Sequence, residues 1–581
     1  MISVSDLRRA VKNALAFASS QPDVTEVEVF ASAGANLTVR LNYTSHIPSN
    51  GVEEPKSTEG YGLGIRATFR TPDGIKTGFG SEPTDLSVDG VERALDKARA
   101  GAVSDPEFVS LPKLDSPQRP AGKADIALAN YDPALMRIGG KGLVDAGWRM
   151  MDRALDAFQS SEDLMGLAGS AERMPELGLI LGGDVVMLRD RMAIASTHIP
   201  RVQTEQNTLV MSFATAMIET QSSKGSGWSV GSRLGDFNGE AAGEAARNAI
   251  ASMDGERIPS GDYNVILGPQ AVAEILEWVL MPGLSLDMFY AGASPFMGKL
   301  GQAVASEDFN LYDDGAAPGL PSSKSITDEG LPTGRTDLIR GGQLSGLLAD
   351  YYNYQRILND PTGREKLGVN PADALQSIAP RNGFRPGNGG GRNFGAMPGA
   401  VSSNLVIEGT RDHTQEDLLR LVGDGLYIGR IWYTYPVNGT TSGDFSGTII
   451  GDSYLIKNGR FAAPLKPNTV RMNDNVLRLI NNTLGIASLR RATVRWSSDQ
   501  VTWAPEIAVS GFGLEEISEY SQRVSIAIPI PTFEKTGYGR DHIREDGRRR
   551  HHHHEPPRVP ERPDSEYGLR DGRGHRSVST A

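Results

Sequence analysis

Residues 263–287 read YNVILGPQAVAEILEWVLMPGLSLD, and the interpretation of the rest of the chain depends on this stretch. The apolar run 263–267 predicts a strand. Residues 270–281 predict a helix, because Pro269 lies near its start, where a missing N–H costs little, and Pro282 ends it. A strand that leads directly into a short helix is therefore the first unit that the sequence predicts.

The composition is that of a folded, acidic protein. The chain has 581 residues, of which 39% are hydrophobic and 22% charged, and its formal net charge is −12. This length suffices for roughly three or four domains of about 150 residues each. No nucleic-acid partner is expected, because such proteins usually carry a basic domain or stripe. The 67 glycines and 34 prolines favour tight turns and hence β-rich domains.

The chain contains no cysteine, which excludes disulfides, thiolate zinc sites and cysteine nucleophiles. This fits a cytoplasmic protein. No apolar run approaches the roughly 18–20 residues of a membrane span, so no membrane partner is expected. The apolar stretch 14–18 is too short for a signal-peptide core and predicts part of a helix instead.

The periodicity predicts an α+β protein with three domains and a tail. Residues 1–109 combine helices, alternating strands and a hairpin that turns at Pro72-Asp73-Gly74, which predicts an N-terminal α/β domain. Residues 123–255 predict a middle α+β domain. Residues 256–530 contain short β-like runs between glycine turns, which predicts a large antiparallel β-rich domain, as a twisted sheet or barrel.

Two segments predict little regular structure. Residues 381–395 are rich in glycine and asparagine, and we expect a mobile loop there. Residues 534–581 mix charged residues, proline and glycine with few apolar side chains. Such a segment buries too little surface to offset the entropy of ordering, so a disordered charged tail is predicted.

Short motifs occur in a fixed order along the chain. They are Gly62–Arg66, Gly78–Ser81, Gly283–Asp287, Gly298–Gln302, Asp328–Thr333, Leu338–Leu344, Asn438–Gly447 and Tyr454–Gly459. Each motif alone is weak, because Gly, Asp and Thr occur at turns everywhere. In this order they resemble the TldD/PmbA family of metallopeptidases, and the resemblance is closer to the PmbA (TldE)-like subunit, which lacks the metal motif.

The resemblance implies a metal-binding helix at residues 277–282, and the ligands are missing. Catalytic members carry His-Glu-x-x-x-His at this place. Here Glu277 stands for the first His, Trp278 for the general-base Glu and Pro282 for the second His. A catalytic zinc usually needs about three protein ligands, and peptide hydrolysis then uses a carboxylate base. We therefore expect no catalytic, cofactor-binding or metal-binding residues in this chain, and zinc only in a catalytic partner subunit.

Carboxylates offer an alternative metal site. Glu277 and Glu274 lie three residues apart and could bind a hard ion together with Asp287, Asp314 or Asp328. The preferred interpretation is that all of these are solvated helix and turn residues.

The histidines do not suggest a site. His46, His198 and His413 lie far apart in sequence, and none falls in the expected helix. His551–His554 belong to the tail, where a transition metal would bind only adventitiously.

Three further patterns predict turns or strands and not sites. Gly387–Gly391 lacks the following Lys-Ser/Thr of a phosphate loop, and Gly60–Gly64 leads into a strand, so no dinucleotide site is expected. Asp444 and Ser446 predict a turn and not part of a catalytic triad.

What the resemblance implies about function is a non-catalytic role. It implies a heterodimer with a TldD-like, metal-bearing subunit, in which this chain supplies chamber walls and strand edges that hold an unfolded or modified peptide. Two alternatives stay open. One is a stand-alone, homodimeric peptide-binding scaffold, and the other is an active hydrolase with an atypical metal site.

Overall fold

The computed structural model describes residues 2–47, 51–114, 130–494 and 498–518. All of them belong to one unit of the chain, Met1–Glu519. The predicted tail, residues 534–581, lies outside the described residues.

The longest α-helices lie in the N-terminal half. None of the helices in the described ranges is long and apolar enough to cross a membrane. In chain order the helices are α1 Val4–Ser19, α2 Val88–Ala100, α3 Pro133–Arg137, α4 Gly140–Gln159, α5 Glu162–Ala168, α6 Glu240–Ala251, α7 Pro269–Ile275, α8 Leu286–Tyr290, α9 Tyr351–Asn359, α10 Gly363–Leu367, α11 Gln415–Val422 and α12 Val476–Asn481.

The strands form two large sheets and one short pair. Together with the helices they confirm the predicted α+β class with a β-rich C-terminal portion. In chain order the strands are β1 Val24–Thr44, β2 Gly51–Val52, β3 Lys56–Thr71, β4 Gly74–Pro83, β5 Leu179–Ser196, β6 Ile199–Ile218, β7 Ser223–Gly231, β8 Gly261–Leu267, β9 Phe309–Asp314, β10 Arg335–Arg340, β11 Gln343–Leu344, β12 Gly383–Phe384, β13 Gly399–Ala400, β14 Asn404–Gly409, β15 Gly425–Pro436, β16 Asp444–Lys457, β17 Arg460–Pro464, β18 Val470–Asn475, β19 Thr483–Val494 and β20 Val501–Glu516.

The N-terminal sheet has the strand order β4-β3-β1-β5-β6-β7, with β2 beside β1, and its pairings are antiparallel. The β3–β4 hairpin, in which Thr71 faces Gly74, confirms the predicted turn. Strand β1 pairs with β5 from Glu28 opposite Ser196 to Thr44 opposite Ile180. One continuous sheet therefore contains strands from both the N-terminal and the middle domain that the sequence predicts.

Residues 27–33 of β1 are buried on both faces, because the side chains of the strand alternate between two sets of neighbours. Odd-numbered residues such as Val29 and Val39 belong to the two hydrophobic clusters that also contain α1 with α2 and α4 with α6. Even-numbered Glu28, Phe30 and Ser32 face the other way and are also buried. This second face meets residues from the C-terminal half of the chain, which places polar side chains inside the protein.

The C-terminal sheet has the order β11-β10-β9-β14-β20-β18-β16-β15-β8. Because β20 also pairs with β8, the strands β20, β18, β16, β15 and β8 close into a ring. The described pairings in this sheet are antiparallel except β8 with β15 and β14 with β20, which are parallel. These exceptions follow from the long connections that separate the paired strands, since parallel neighbours require a crossover.

Candidate functional site

The segment that resembles the family's metal helix is irregular. Helix α7 ends at Ile275, a π-helical turn spans Leu276–Leu280, and a 3-10 turn spans Met281–Leu284. The prediction of one helix over residues 270–281 is therefore only partly correct. Pro282 disfavours regular helix here because its ring clashes with the preceding turn. Short π-helical turns occur frequently at functional sites, so this segment is a candidate functional position.

The three degenerate motif positions have different environments. Glu277 is buried, with 7% of its surface exposed, and Thr502 Oγ1 of β20 donates to Glu277 Oε1 at 2.7 Å. Trp278 is 37% exposed, and Pro282 is half-buried. The prediction that Glu277 is solvated is wrong, because β20 lies against the π-helical turn.

These side chains do not fit a catalytic zinc. Trp278 and Pro282 have no atom that binds zinc, which leaves the single carboxylate of Glu277 where three ligands are usual. In the part of the chain that the structure describes, no group of three or more His, Cys, Asp or Glu side chains could hold a metal ion. No zinc-dependent step follows from these residues.

Of the carboxylates weighed for a hard-ion site, Glu274 lines the same cavity as Glu277, whereas Asp287, Asp314 and Asp328 do not line it. Asp287 is exposed and Asp314 is half-buried. Asp328 is completely buried and pairs with Arg392 through Arg392 Nε and Asp328 Oδ1, 2.7 Å apart. The prediction of a solvated side chain is therefore wrong for Asp328 too.

The histidines also lie apart. His46 is exposed, His198 Nε2 lies 3.3 Å from Glu26 Oε2, and the carbonyl of His413 accepts from the Ser488 amide at 2.9 Å. His551–His554 lie outside the described residues.

The remaining patterns have structural roles. Gly60–Gly64 lies inside β3, which begins earlier than the sequence predicts, since the glycines were expected to lead into the strand. Asp444 stands at the start of β16, and its Oδ1 accepts from Asn475 Nδ2 at 2.9 Å. Ser446 faces Asn473 and Tyr435 within the sheet.

The stretch 381–395 is a packed strap and not the mobile loop that its composition predicts. Its arginines Arg385 and Arg392 are buried, and Arg385 Nη2 lies 2.6 Å from Glu28 Oε1 of β1. Strand β3 accommodates the strap with glycine, because a Cβ on Gly64 would lie only 2.2 Å from the carbonyl oxygen of Phe394. The pairing of the arginines with carboxylates of distant segments explains why the strap is ordered.

These arginines belong to a buried ionic network between the strap and the N-terminal sheet. Arg66 pairs with Glu28 at 2.8 Å and with Glu329 at 3.4 Å. Burial raises the pKa of Glu329 to about 7. The sequence analysis did not predict this network. The features that could have indicated it are the arginines in a Gly-rich run and the Asp328-Glu329 motif. The remaining ion pairs join Arg392 to Asp190, Glu205 and Asp328.

A cavity of about 70 Å³ lies beside the π-helical turn, and sequence reasoning missed it. We call it the Arg430 pocket. The Arg430 guanidinium carbon lies 4.3 Å from the Phe213 ring centre and 5.4 Å from that of Trp432. Burial lowers the pKa of Arg430 to about 10. Among the residues that line the pocket are Phe213, Trp228, Glu277, Arg430, Trp432 and Thr493.

The strand that carries Arg430 is irregular at the pocket. The register of β15 with β16 shifts between Trp432 and Tyr435, and Tyr433 has a φ of 55°. A positive φ is uncommon outside glycine, and such strain is concentrated at active sites and ligand clamps. The π-helical turn and this bulge thus meet at one cavity.

Comparisons with known proteins agree with this architecture. Residues 260–516 match the model of the PmbA/TldA metallopeptidase C-terminal domain. The metalloprotease TldD homolog of Buchnera aphidicola subsp. Acyrthosiphon pisum is 26% identical over 227 residues, covering 39% of this chain and 41% of that protein. A metalloprotease of Methanothermobacter thermautotrophicus is 24% identical over 240 residues, covering 41% and 46%. The chain thus spans less than half the length of these curated relatives.

Solved structures share the fold over most of the chain. A Thermotoga maritima protein described as a candidate modulator of a DNA gyrase superposes with a TM-score of 0.66 and 18% identity, covering 87% of this chain and 99% of that one. TldE from Thermococcus kodakarensis gives a TM-score of 0.66 and 15% identity, covering 88% and 100%. With the family model and the TldD relatives, these likenesses lead to one conclusion: residues 260–516 are a C-terminal domain of the PmbA/TldA metallopeptidase family, in a chain that has the fold of these solved structures.

Proposed function

We propose that this chain is the non-catalytic, TldE-like subunit of a heterodimeric peptidase that acts on unfolded or modified peptides. The observation that carries the proposal is the chemistry of the motif positions. Where catalytic relatives are expected to bind zinc, this chain has an indole, a proline ring and the Glu277 carboxylate, which accepts a hydrogen bond from Thr502. Zinc and the general base would then come from a TldD-like partner in the cytoplasm.

The role of this subunit would be to hold substrate. An extended peptide can add to an exposed sheet edge through main-chain hydrogen bonds, with pockets that select its side chains. The irregular end of β15 supports this role, because Tyr433 and Tyr435 are 73% and 54% exposed on the strand whose Arg430 and Trp432 line the Arg430 pocket. Exposed aromatic side chains next to a cavity are suited to binding an unfolded chain.

Co-expression with a His-Glu-x-x-x-His homologue from the same genome tests the proposal. We expect the two chains to co-purify and to cleave an unfolded peptide, while neither chain alone does so. The control is the homologue with its motif Glu replaced by Gln, which should still bind this chain but should not cleave. Failure to co-purify, together with a homodimer that binds peptide, would favour the stand-alone scaffold.

A further inference from the structure

The Arg430 pocket contains three buried donors without acceptors. Arg430, Thr493 and Trp228 are 3%, 6% and 8% exposed. Arg430 Nε, Thr493 Oγ1 and Trp228 Nε1 have no hydrogen-bond partner among the residues that the structure describes. Buried polar atoms are nearly always hydrogen-bonded, so three such atoms around one cavity indicate an occupant that supplies acceptor oxygen.

The charges around the cavity favour a neutral occupant. The carboxylates of Asp452 and Glu274 attract the Arg430 guanidinium and already offset its charge. A carboxylate ligand would be repelled by these acidic groups, whereas a carbonyl oxygen would not. The Phe213 and Trp432 rings that flank Arg430 suit a flat group with apolar substituents.

We propose that the Arg430 pocket binds an amide group, whose carbonyl oxygen accepts from Arg430 Nε, Trp228 Nε1 and the Thr493 hydroxyl. A peptide main-chain amide and the side-chain amide of Asn or Gln share this chemistry. The proposal deepens the proposed function, on which it rests, by naming where this subunit would hold substrate peptide.

Ordered water is the competing occupant. A cavity of about 70 Å³ has room for about two water molecules, which need about 30 Å³ each. Two features favour a ligand: the cavity is lined by Trp432, which precedes the positive φ of Tyr433, and by Glu277 of the π-helical turn. Backbone strain of this kind is retained at ligand clamps, whereas water alone gives no reason for it.

The test is a titration of the isolated full-length chain, monitored by ligand-observed saturation-transfer NMR. N-Methylacetamide and propionamide are isomers that carry a secondary and a primary amide, and propionate is the charged control. We expect saturable binding of an amide and weaker binding of propionate. Tighter binding of N-methylacetamide would indicate a main-chain amide as the natural ligand, and tighter binding of propionamide would indicate a side-chain amide.

Matched variants locate the binding site. Trp228→Phe and Thr493→Val each remove one donor while keeping most of the side-chain volume, and each should weaken amide binding about fivefold. Trp503→Phe and Thr336→Val are the controls, because Trp503 Nε1 and Thr336 Oγ1 are also buried without a partner among the described residues but do not line the pocket. These controls should change the affinity less than about twofold.

Three results would overturn the proposal: no saturable amide binding, propionate binding at least as tightly as the amides, or equal losses in the pocket and control variants. Thermal unfolding shows whether each variant is folded. If one of the two pocket variants is unstable, the other still tests the proposal. Because no partner subunit is present, the binding result is independent of heterodimer formation, so failure of this inference is distinguishable from failure of the proposed function.

Discussion

Thr502 Oγ1 donates to Glu277 Oε1 at 2.7 Å, and so a strand hydroxyl contacts the carboxylate at the first degenerate motif position. The two residues are 225 positions apart in the chain. The contact ties the π-helical turn to β20, the strand that joins the ring of the C-terminal sheet. The motif position thus has a structural role in this chain.

Thr502→Val should destabilise the protein by about 1–3 kcal/mol, because the buried Glu277 side chain loses the hydrogen bond that Thr502 donates. Thr493→Val is the matched control: Thr493 is a buried threonine whose hydroxyl has no partner among the described residues, so its replacement should leave stability unchanged or raise it slightly. Urea unfolding measures both. Equal losses for the two variants would show that the Glu277 contact does not stabilise the fold.

Arg392→Met should destabilise the protein by about 3–5 kcal/mol or more, because it leaves the carboxylates of Asp190, Glu205 and Asp328 buried without their shared cation. The control is Arg340→Met, which removes an exposed pair with Asp337 and should change stability by less than about 1 kcal/mol. Chemical unfolding provides both values. If Arg392→Met lowered the free energy of unfolding no more than the control does, residues 381–395 would not be packed as described.

Gly64→Ala should destabilise the protein by about 1–3 kcal/mol, as overpacking in a filled interior does. The added methyl group would lie 2.2 Å from the Phe394 carbonyl, so the strap must move. Gly60→Ala, on the same strand, meets no atom within 4 Å and should be neutral. Limited proteolysis would report the difference, with faster cleavage within residues 381–395 only in Gly64→Ala. Identical cleavage of the two variants would argue against strap packing on β3.

Asp313 should give stability a measurable pH dependence. Its carboxylate is buried and accepts from the Ser403 amide and Asn382 Nδ2, both at 2.7 Å, and burial raises its pKa from 3.8 to about 7. The folded protein therefore holds a proton that the unfolded chain releases, so this group's contribution to stability falls as pH rises from about 3.8 to about 7.

Asp313→Asn removes this titration. The difference between the thermal midpoints, native protein minus variant, should therefore fall as the pH rises from about 3.8 to about 7. Other buried carboxyls, such as Glu329, titrate in both proteins and cancel in the difference. A difference that stays constant or rises with pH would contradict the assigned direction.

Periodicity and turn residues correctly predicted the features of the fold that depend on local sequence. The β3–β4 hairpin, the α+β class and the family resemblance follow from alternation, from Asp73-Gly74 and from the order of short motifs. The π-helical turn was missed because its apolar spacing over five residues does not differ enough from that of an α-helix.

The burial of the site residues could not be predicted, because it depends on distant partners. Glu277 is buried by a strand 225 residues away, and Arg385 pairs with Glu28 across 357 residues. In the sequence, an arginine inside a Gly- and Asn-rich run is indistinguishable from a solvated one. The Arg430 pocket likewise combines β6, β7, β15 and β19, which no local pattern connects.

Residues 277–282 lack the ligands of a zinc peptidase centre, so zinc analysis of the isolated protein is the decisive experiment. The full chain with His551–His554 replaced by alanine removes adventitious binding by the tail. We predict that it retains no zinc in elemental analysis and does not cleave an unfolded peptide. One zinc per chain, with peptide cleavage that Glu277→Gln abolishes, would instead show that this chain has a peptidase centre of its own.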